Sequence, residues 1–554
     1  MRIEYATASP GARVGAAARV RGRGRIDRFE LGMLAAFAAV SCWVLALDLF
    51  QVIFHGRIWT GTDGFFITDQ MQYLAWIQAA SHHFLVSNLF VLRSTPADYF
   101  QPAVLLSGLL VGLGMVPWLA LLVWKPVAVL VTFFSVRAYA HRSLSRRSGR
   151  RAAIALGLFY GSFTVVYGSF GVVGDLFPGF LSWGYPFGLI ALGAMLYAMI
   201  AYDRARAAGR ITYGPALLGA LSSSLHPWQG EILIVIVIGA ELLRLRGEPI
   251  TRRRLELIVI TVLGTALPLL YYFVLGKADP NWGMAREASR HSFSFWTIAL
   301  VLVPILPLAA LGYKGKSRSF WESATRMFPL AALIIYVFSA SGASATPLHA
   351  FQGITVPLGV LAVEGLGRTG WYGYRHRRRL GGVALALATI PASAWELKIA
   401  DGYMGPQPGN GNFIKRDERA ALTYLDRDRD DGGVLTRVYL GLLVPARTGR
   451  HTFVGDCLWS EPHCSTRQYL TGKLFTGKLP PPAVRSLVRR SGARFVLADC
   501  RTTFDLSKAL APLLVSVRRF GCASVYEVSA PSPPEGALAE SPAHAASVRT
   551  PGRQ

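Results

Sequence analysis

The sequence predicts a polytopic α-helical membrane protein, with about eleven spanning helices and a small α/β domain near the C-terminus. Three observations predict it. Of 554 residues, 52% are hydrophobic and only 16% charged, where a soluble chain carries about a quarter charged residues. Apolar runs long enough to cross roughly 30 Å of hydrocarbon recur between residues 31 and 400. Beyond residue 400 the composition turns soluble again. Inside lipid each backbone group must find its partner within its own segment, so the runs read as helices and not strands.

The spans are expected at 31–54, 117–136, 152–173, 183–202, 212–226, 228–243, 255–275, 293–311, 327–343, 351–367 and 380–400. The first 29 residues are polar and Arg-rich, and the run after them is too long for a signal-peptide core, so no cleavable leader is expected. A net charge of +26 would suggest nucleic acid in a soluble chain, but here the charge is divided among short loops. Segments 1–29, 137–151, 203–210, 244–254, 312–326 and 368–379 hold 30 Lys or Arg, whereas 55–101, 174–182, 276–292 and 344–350 hold 5. The positive-inside rule makes the first set cytoplasmic and rejects the nucleic-acid reading. The expected location is the inner (plasma) membrane, with the N-terminus in the cytoplasm and the C-terminal domain outside.

Four regions follow. Residues 1–29 form a basic cytoplasmic arm suited to anionic lipid, and 30–400 form the membrane domain with a long first outer loop at 55–101. Residues 401–528 form the outer α/β domain, with strands expected at 434–443, 494–499 and 523–528 and a helix at 506–517. Residues 529–554, rich in Pro, Ala and Ser, are expected to be a disordered tail. Cys42 lies in the first span, while Cys457, Cys464, Cys500 and Cys522 all fall in the outer domain, where disulfides persist. Their pairing stays open among three connectivities. Zinc, with His463 beside Cys464, is the rival reading; no Cys-x-x-Cys pair supports it.

The first outer loop holds "TDGFFITDQMQYLAWIQAAS" (62–81), which sets Asp63 and Asp69 just past the first span. Its helical spacing over 71–85 predicts an amphipathic helix lying along the interface. A partly buried carboxylate there can act as a general base. The plain readings are a turn at Asp63–Gly64 and an N-cap at Asp69. Asp175, in "GDLFPGF" (174–180), could hold an acceptor or a metal, or end a helix. Cations outside are scarce: Arg57, Arg93, Lys277, Arg286 and Arg290, with His226, His291 and His349. The stretch 276–291 supplies Lys277, Arg286, Arg290 and His291, and the i, i+4 spacing of the two arginines puts both on one helical face. His226, Trp228 and Gln229 sit at a Pro-bearing turn where two short spans meet. Asp48 lies inside the first span and is left unassigned, and Glu241 and Glu364 are near cytoplasmic arginines and are given no chemistry.

A first span, an acidic long loop, many spans with basic cytoplasmic connections and an outer domain together resemble the GT-C glycosyltransferases. Local stretches are similar too: "DQMQYLAWI" (69–77), "HPWQ" (226–229), "HAFQGITVPLGVLAVEG" (349–365), "ARFVLADC" (493–500) and "FGCASVYEV" (520–528). The acid pair common in that family, adjacent or one residue apart, is missing; Asp63 and Asp69 lie six apart. The resemblance implies a polyprenyl-phosphate-sugar donor, an acceptor that is a cell-envelope glycan, lipid or protein, and direct displacement outside the membrane. Asp69, with Asp63 second, would be the base. Arg286, Arg290, His291, Lys277, His226 and His349 would hold the donor phosphate. It leaves room for Mg²⁺ or Mn²⁺, which no residue demands. The rivals are a transporter or flippase for a lipid-linked substrate, which would show discontinuous helices and midplane charges in two related halves, and a non-catalytic scaffold of the same fold.

Overall fold

The structure, a computed structural model, describes residues 25–63, 66–161, 176–245, 247–289, 295–340, 346–369, 375–404 and 411–529. The N-terminal arm before residue 25, the tail after 529, and Asp175, Arg290 and His291 lie outside the described residues.

Helix α1 (Arg28–His55) opens with a reciprocal cap. Asp27 accepts from the Glu30 amide while Glu30 accepts from the Asp27 amide. It stops at Gly56, whose φ of 60° suits a residue without Cβ. Then come α2 (Ile67–Ala80), α3 (Pro102–Gly112), α4 (Pro117–Leu122) running on into α5 (Trp124–Ser143), α6 (Arg147–Phe159), α7 (Pro178–Leu181) and α8 (Pro186–Ala207). The membrane domain continues with α9 (Gly214–Leu225), α10 (Pro227–Arg244), α11 (Arg252–Ala278), α12 (Pro280–Ala288), α13 (Phe295–Leu302), α14 (Leu306–Gly312) and α15 (Phe320–Ala340). A 3₁₀ turn (Pro347–Phe351), α16 (Thr355–Arg368) and α17 (Arg375–Met404) complete it.

Among the described residues, seven helices are long and apolar enough to cross a membrane: Arg28–His55, Pro117–Ser143, Pro186–Ala207, Arg252–Ala278, Phe320–Ala340, Pro347–Arg368 and Arg379–Gly402. The other four expected spans are short, broken or, in α10, carry three charged residues, Glu231, Glu241 and Arg244. α6 runs into residues outside the described set, α9 and α10 meet at His226–Pro227, and α13 and α14 are separated at residues 303–305. Short helices pack here because small residues let backbones touch. A Cβ on Gly365 would lie 2.1 Å from the Leu308 carbonyl, and one on Gly312 2.5 Å from that of Leu361, so α14 and α16 cross at near contact. The outward faces stay apolar, as at Ile53, Phe54, Leu263 and Leu267, each more than 60% exposed.

The end that carries the arginine-rich loops is tied by ion pairs. Glu30 meets Arg137 at 2.9 Å and His141 at 2.5 Å; Asp203 pairs with Arg142; Glu241 pairs with Arg206 at 2.9 Å and with Arg254.

The C-terminal domain contains α18 (Arg416–Arg427), α19 (Val438–Thr448), α20 (Cys464–Leu474), α21 (Pro481–Ser491) and α22 (Ser507–Leu510). They surround a mixed sheet in the order β3 (Val434–Thr436), β4 (Phe495–Ala498), β6 (Ala523–Val528), β5 (Leu514–Phe520), with only the β3–β4 pair parallel. Two local expectations change. The expected strand 434–443 ends at Thr436 and becomes α19, because a segment buried on all sides carries no period that separates strand from helix. The expected helix 506–517 shrinks to α22, and β5 starts at Leu514, where Val515 and Val517 favour a strand that pairs with β6.

This domain is stitched to the first loop. β1 (Ile58–Trp59) pairs antiparallel with β2 (Phe413–Ile414). The Thr452 amide donates to the Leu89 carbonyl at 2.9 Å, Asn88 Nδ2 to the Trp459 carbonyl at 2.8 Å, and Ser460 Oγ to the Phe90 carbonyl at 3.0 Å. Helix α2 is therefore not the lipid-surface helix its spacing suggested. Met71, Leu74, Ala75, Trp76 and Ile77 are all buried, and α19 packs across it. Its apolar face is covered by protein.

Candidate functional site

The two loop carboxylates have different surroundings. Asp63 is buried 2.5 Å from Lys125 Nζ, and Lys125 also donates to the Ser41 and Ser182 carbonyls at 2.9 and 2.8 Å. The Asp63 amide donates to Gln70 Oε1 at 2.7 Å. Asn412 bridges from behind, donating to Asp48 Oδ1 at 2.5 Å while its own Oδ1 accepts from Thr62 at 2.9 Å. Burial pushes the Asp63 carboxyl up and the Lys125 ammonium opposes it. This network joins α1, the loop, α5 and the C-terminal domain, which is a fastening role and explains Asp48 as well.

Asp69 is half-buried in the first turn of α2, and the N-cap position belongs to Phe66, so the capping role read from the sequence does not apply. Its Oδ2 accepts a hydrogen bond from Tyr185 Oη. Tyr185 stands immediately before α8, whose first residue is Pro186, so the helix start fixes the ring at its mouth. Beyond Tyr185, the His349 ring lies 6.4 Å away, centroid to centroid. His349 is 5.0 Å from His226 and 4.6 Å from Trp228. His226 Nδ1 contacts Gln229 Oε1, and Gln229 Nε2 reaches Gln352 Oε1 at 3.5 Å. His226 Nε2 and Gln352 Nε2 are buried with no hydrogen-bond partner among the described residues. Two histidines far apart in sequence thus meet, and Tyr185 stands between them and Asp69.

The C-terminal domain brings a second carboxylate near Asp69. Asp456 is buried; its Oδ1 accepts from the Leu458 amide at 2.9 Å, and its Oδ2 has no partner among the described residues. Burial, and then the nearby charge of Asp69, push its carboxyl up to about 7. The loop after it is closed by a Cys457–Cys464 disulfide and seats Trp459, whose ring lies 5.3 Å from Trp76 and 4.5 Å from Trp282. Trp76 follows Asp69 by two turns of α2, so these rings continue the same helix face. The second disulfide joins Cys500 and Cys522. Among the described residues, Asp417, Cys500 and Cys522 are the one gathering of three ligand-type side chains, and the disulfide takes up both thiols.

The cationic stretch is only partly described. Lys277 is exposed at the end of α11 over the Phe273 ring, 5.9 Å from its centroid, and Arg286 folds back on Gly276 at the corner with α12. Arg93 reaches that helix too, donating to Asn281 Oδ1 at 2.8 Å. Arg290, His291 and Asp175 are outside the described residues. Sequence reasoning missed Tyr185, Gln352 and Asp456. Gln352 stood inside the quoted 349–365 stretch, but nothing in the sequence brings residue 456 to residue 69.

No protein-family model matches the chain, and no curated protein matches it in sequence. Solved structures do. The oligosaccharyltransferase AglB of Archaeoglobus fulgidus, in complex with an inhibitory peptide and a dolichol-phosphate, superposes with a TM-score of 0.50 at 13% identity, over 91% of this chain and 74% of that one. The arabinofuranosyltransferase AftD from Mycobacteria gives 0.52 at 16% identity, over 90% of this chain and 41% of that one. ArnT from Cupriavidus metallidurans in the apo state gives 0.50 at 13%, over 90% and 97%.

The chain has the GT-C fold. In this fold the cluster of Asp69, Tyr185, His226 and His349 joins the first loop, the start of α8, the α9–α10 turn and the 3₁₀ turn. At identities this low the likeness establishes the arrangement of elements, and the chemistry rests on the side chains described above.

Proposed function

We propose that the chain is a membrane glycosyltransferase that moves a sugar from a polyprenyl-phosphate donor to an acceptor on the extracytoplasmic side. The observation that carries this reading is Asp69, a half-buried carboxylate held by Tyr185, whose ring in turn lies beside a pair of histidines. A hydroxyl is a poor nucleophile, and a base in hydrogen-bond reach contributes ~10²–10⁴-fold. In this reading the acceptor hydroxyl gives its proton to Asp69 as its oxygen bonds to the anomeric carbon. The bond from that carbon to the phosphate oxygen breaks, with inversion. The leaving phosphate gains negative charge, which needs donors aimed at it. Gln352 Nε2, buried with no partner among the described residues, is suited to that, with His226 and His349 close by.

Asp456 lies close enough to feel the charge of Asp69, and burial together with that charge pushes its carboxyl up to about 7, so it can exchange a proton in the physiological range. Asp63, paired with Lys125, is removed from the chemistry. No third ligand joins Asp69 and Asp456 among the described residues, so no step is routed through Mg²⁺ or Mn²⁺. The relatives in fold support the donor class: one is an oligosaccharyltransferase in complex with a dolichol-phosphate. The disulfides support an oxidising compartment for the C-terminal domain.

The test is sugar transfer from a labelled polyprenyl-phosphate donor in membranes. Asp69→Asn is expected to lower kcat by ~10²–10⁴-fold with donor binding kept. Equal transfer by both proteins would remove Asp69 from the mechanism, and transmembrane movement of the intact donor without transfer would favour the flippase.

A further inference from the structure

Away from Asp69, a groove of about 580 Å³ runs along α18 where it meets the tip of the β5–β6 hairpin. Arg416, Arg419 and Arg427 line it from α18, Tyr424 and Phe520 form its floor, and Ile58 of β1 forms a wall. The three arginines are exposed, and none makes an ion pair among the described residues. The floor is held rigidly. Tyr424 and Phe520 lie 5.6 Å apart, centroid to centroid; Asp417 accepts from the Cys522 amide at 2.9 Å; and the Cys500–Cys522 disulfide fixes the hairpin tip. Asp417 is thereby turned to the hairpin, and the guanidinium groups are left facing open space.

Two features name the occupant's chemistry. Planar guanidinium groups pair with phosphate through parallel hydrogen bonds, and a pair of aromatic rings offers a face to a saturated ring. The third feature is location. Ile58 comes just after Gly56, where α1 leaves the membrane, and Ile53 and Phe54 on the last turn face lipid at 69% exposure each. A ligand in the groove therefore sits at the head-group layer.

We propose that this groove binds the head group of a membrane phospholipid whose phosphate carries a sugar or ring polyol. The arginines take the phosphate, the Tyr424–Phe520 floor takes the ring, and the acyl chains run down beside α1. This goes beyond the transfer reaction and does not depend on it.

The full chain in phosphatidylcholine nanodiscs, with a minor share of phosphatidylinositol or of phosphatidylglycerol, tests this by lipid retention in native mass spectrometry. Phosphatidylinositol is expected to outlast phosphatidylglycerol, which has the same charge but no ring. Arg416→Gln/Arg419→Gln is expected to weaken phosphatidylinositol retention about thirtyfold, with Arg427→Gln as a milder second variant. Phe520→Leu/Tyr424→Leu should bring phosphatidylinositol down to the phosphatidylglycerol level. Equal retention of the two lipids by the unaltered protein would overturn the ring, and equal phosphatidylinositol retention by the arginine variants would overturn the site. Free inositol phosphate binding as tightly as the lipid would overturn the membrane source. Transfer activity retained in the arginine variants separates this test from that of Asp69.

Discussion

Two carboxylates, one at each end of the molecule, are treated in opposite ways. At the arginine-rich end, Glu248 accepts from Arg206 and Arg244, and these bonds hold its carboxyl down to about 2. In the C-terminal domain, Asp456 has one oxygen with no partner among the described residues and a carboxyl pushed up to about 7. Both are acids in a protein short of acids. The first kind is neutralised and serves as mortar between α8, α10 and α11, whereas the second keeps its proton exchangeable in the physiological range. Perturbation toward neutrality without a structural partner marks the end where chemistry is expected.

The comparison breaks first at Glu241. It lies between Arg206 and Arg254, whose side chains are 13% and 9% exposed. Glu241→Leu would take from both cations their shared buried partner and leave them only Glu248, whose side chain is 37% exposed, which costs up to about 3–5 kcal/mol. A thermal-shift measurement in detergent should show a large loss of stability, with the pH dependence of transfer in the surviving protein unchanged. A changed pH profile would mean that the two ends are not separate.

Asp456→Asn should act the other way. A carboxyl at about 7 in the folded protein, against about 4 when unfolded, means that the native state holds the proton more tightly. The stability from this group is full below pH ~4 and is lost as pH rises to ~7, after which it is level. Asn keeps the neutral form at every pH, so the variant should be more stable than the parent at pH 8, by on the order of 2–4 kcal/mol, and equal to it at pH 4. It should also move the acidic limb of the transfer–pH profile, since the charge facing Asp69 is gone. An unchanged stability difference between pH 4 and pH 8 would remove Asp456 from this role.

Much of this architecture was legible in the sequence because lipid imposes simple rules. Length fixed where α1, α5, α8, α11 and α15 would span, and loop arginines separated one end from the other. The quoted stretches around His226 and His349 held two residues that the fold brings to 5.0 Å of each other. Long-range placement was not legible. The spacing of α2 describes one apolar face, and it does not say whether lipid or protein covers it. Val438–Thr448, buried on all sides, has no pattern to separate strand from helix. Asp456 and Asp69 meet only because β1 pairs with β2 and because the loop after residue 456 is pinned to Asn88 and Phe90.

That pinning gives a smaller effect. The Cys457–Cys464 disulfide closes a loop with a sequence separation of 7, so its removal in Cys457→Ser/Cys464→Ser should cost about 2 kcal/mol, low in the usual range. Loss of transfer should exceed what this instability explains, because Asp456 and Trp459 depend on the loop. Transfer falling only in step with the folded fraction would make the disulfide purely structural.

The smallest effect sharpens the contrast. Arg252 meets Glu256 at 2.9 Å, yet its side chain is 93% exposed. Solvent screens such a pair, so Arg252→Gln should change stability by less than about 0.5 kcal/mol. Glu241 and Glu256 belong to the same arginine-rich end and differ chiefly in burial. A thermal shift for Arg252→Gln as large as that for Glu241→Leu would mean that overall charge, and not the desolvated pairing of particular groups, holds that end together. The different treatment of carboxylates at the two ends would then lose its physical basis.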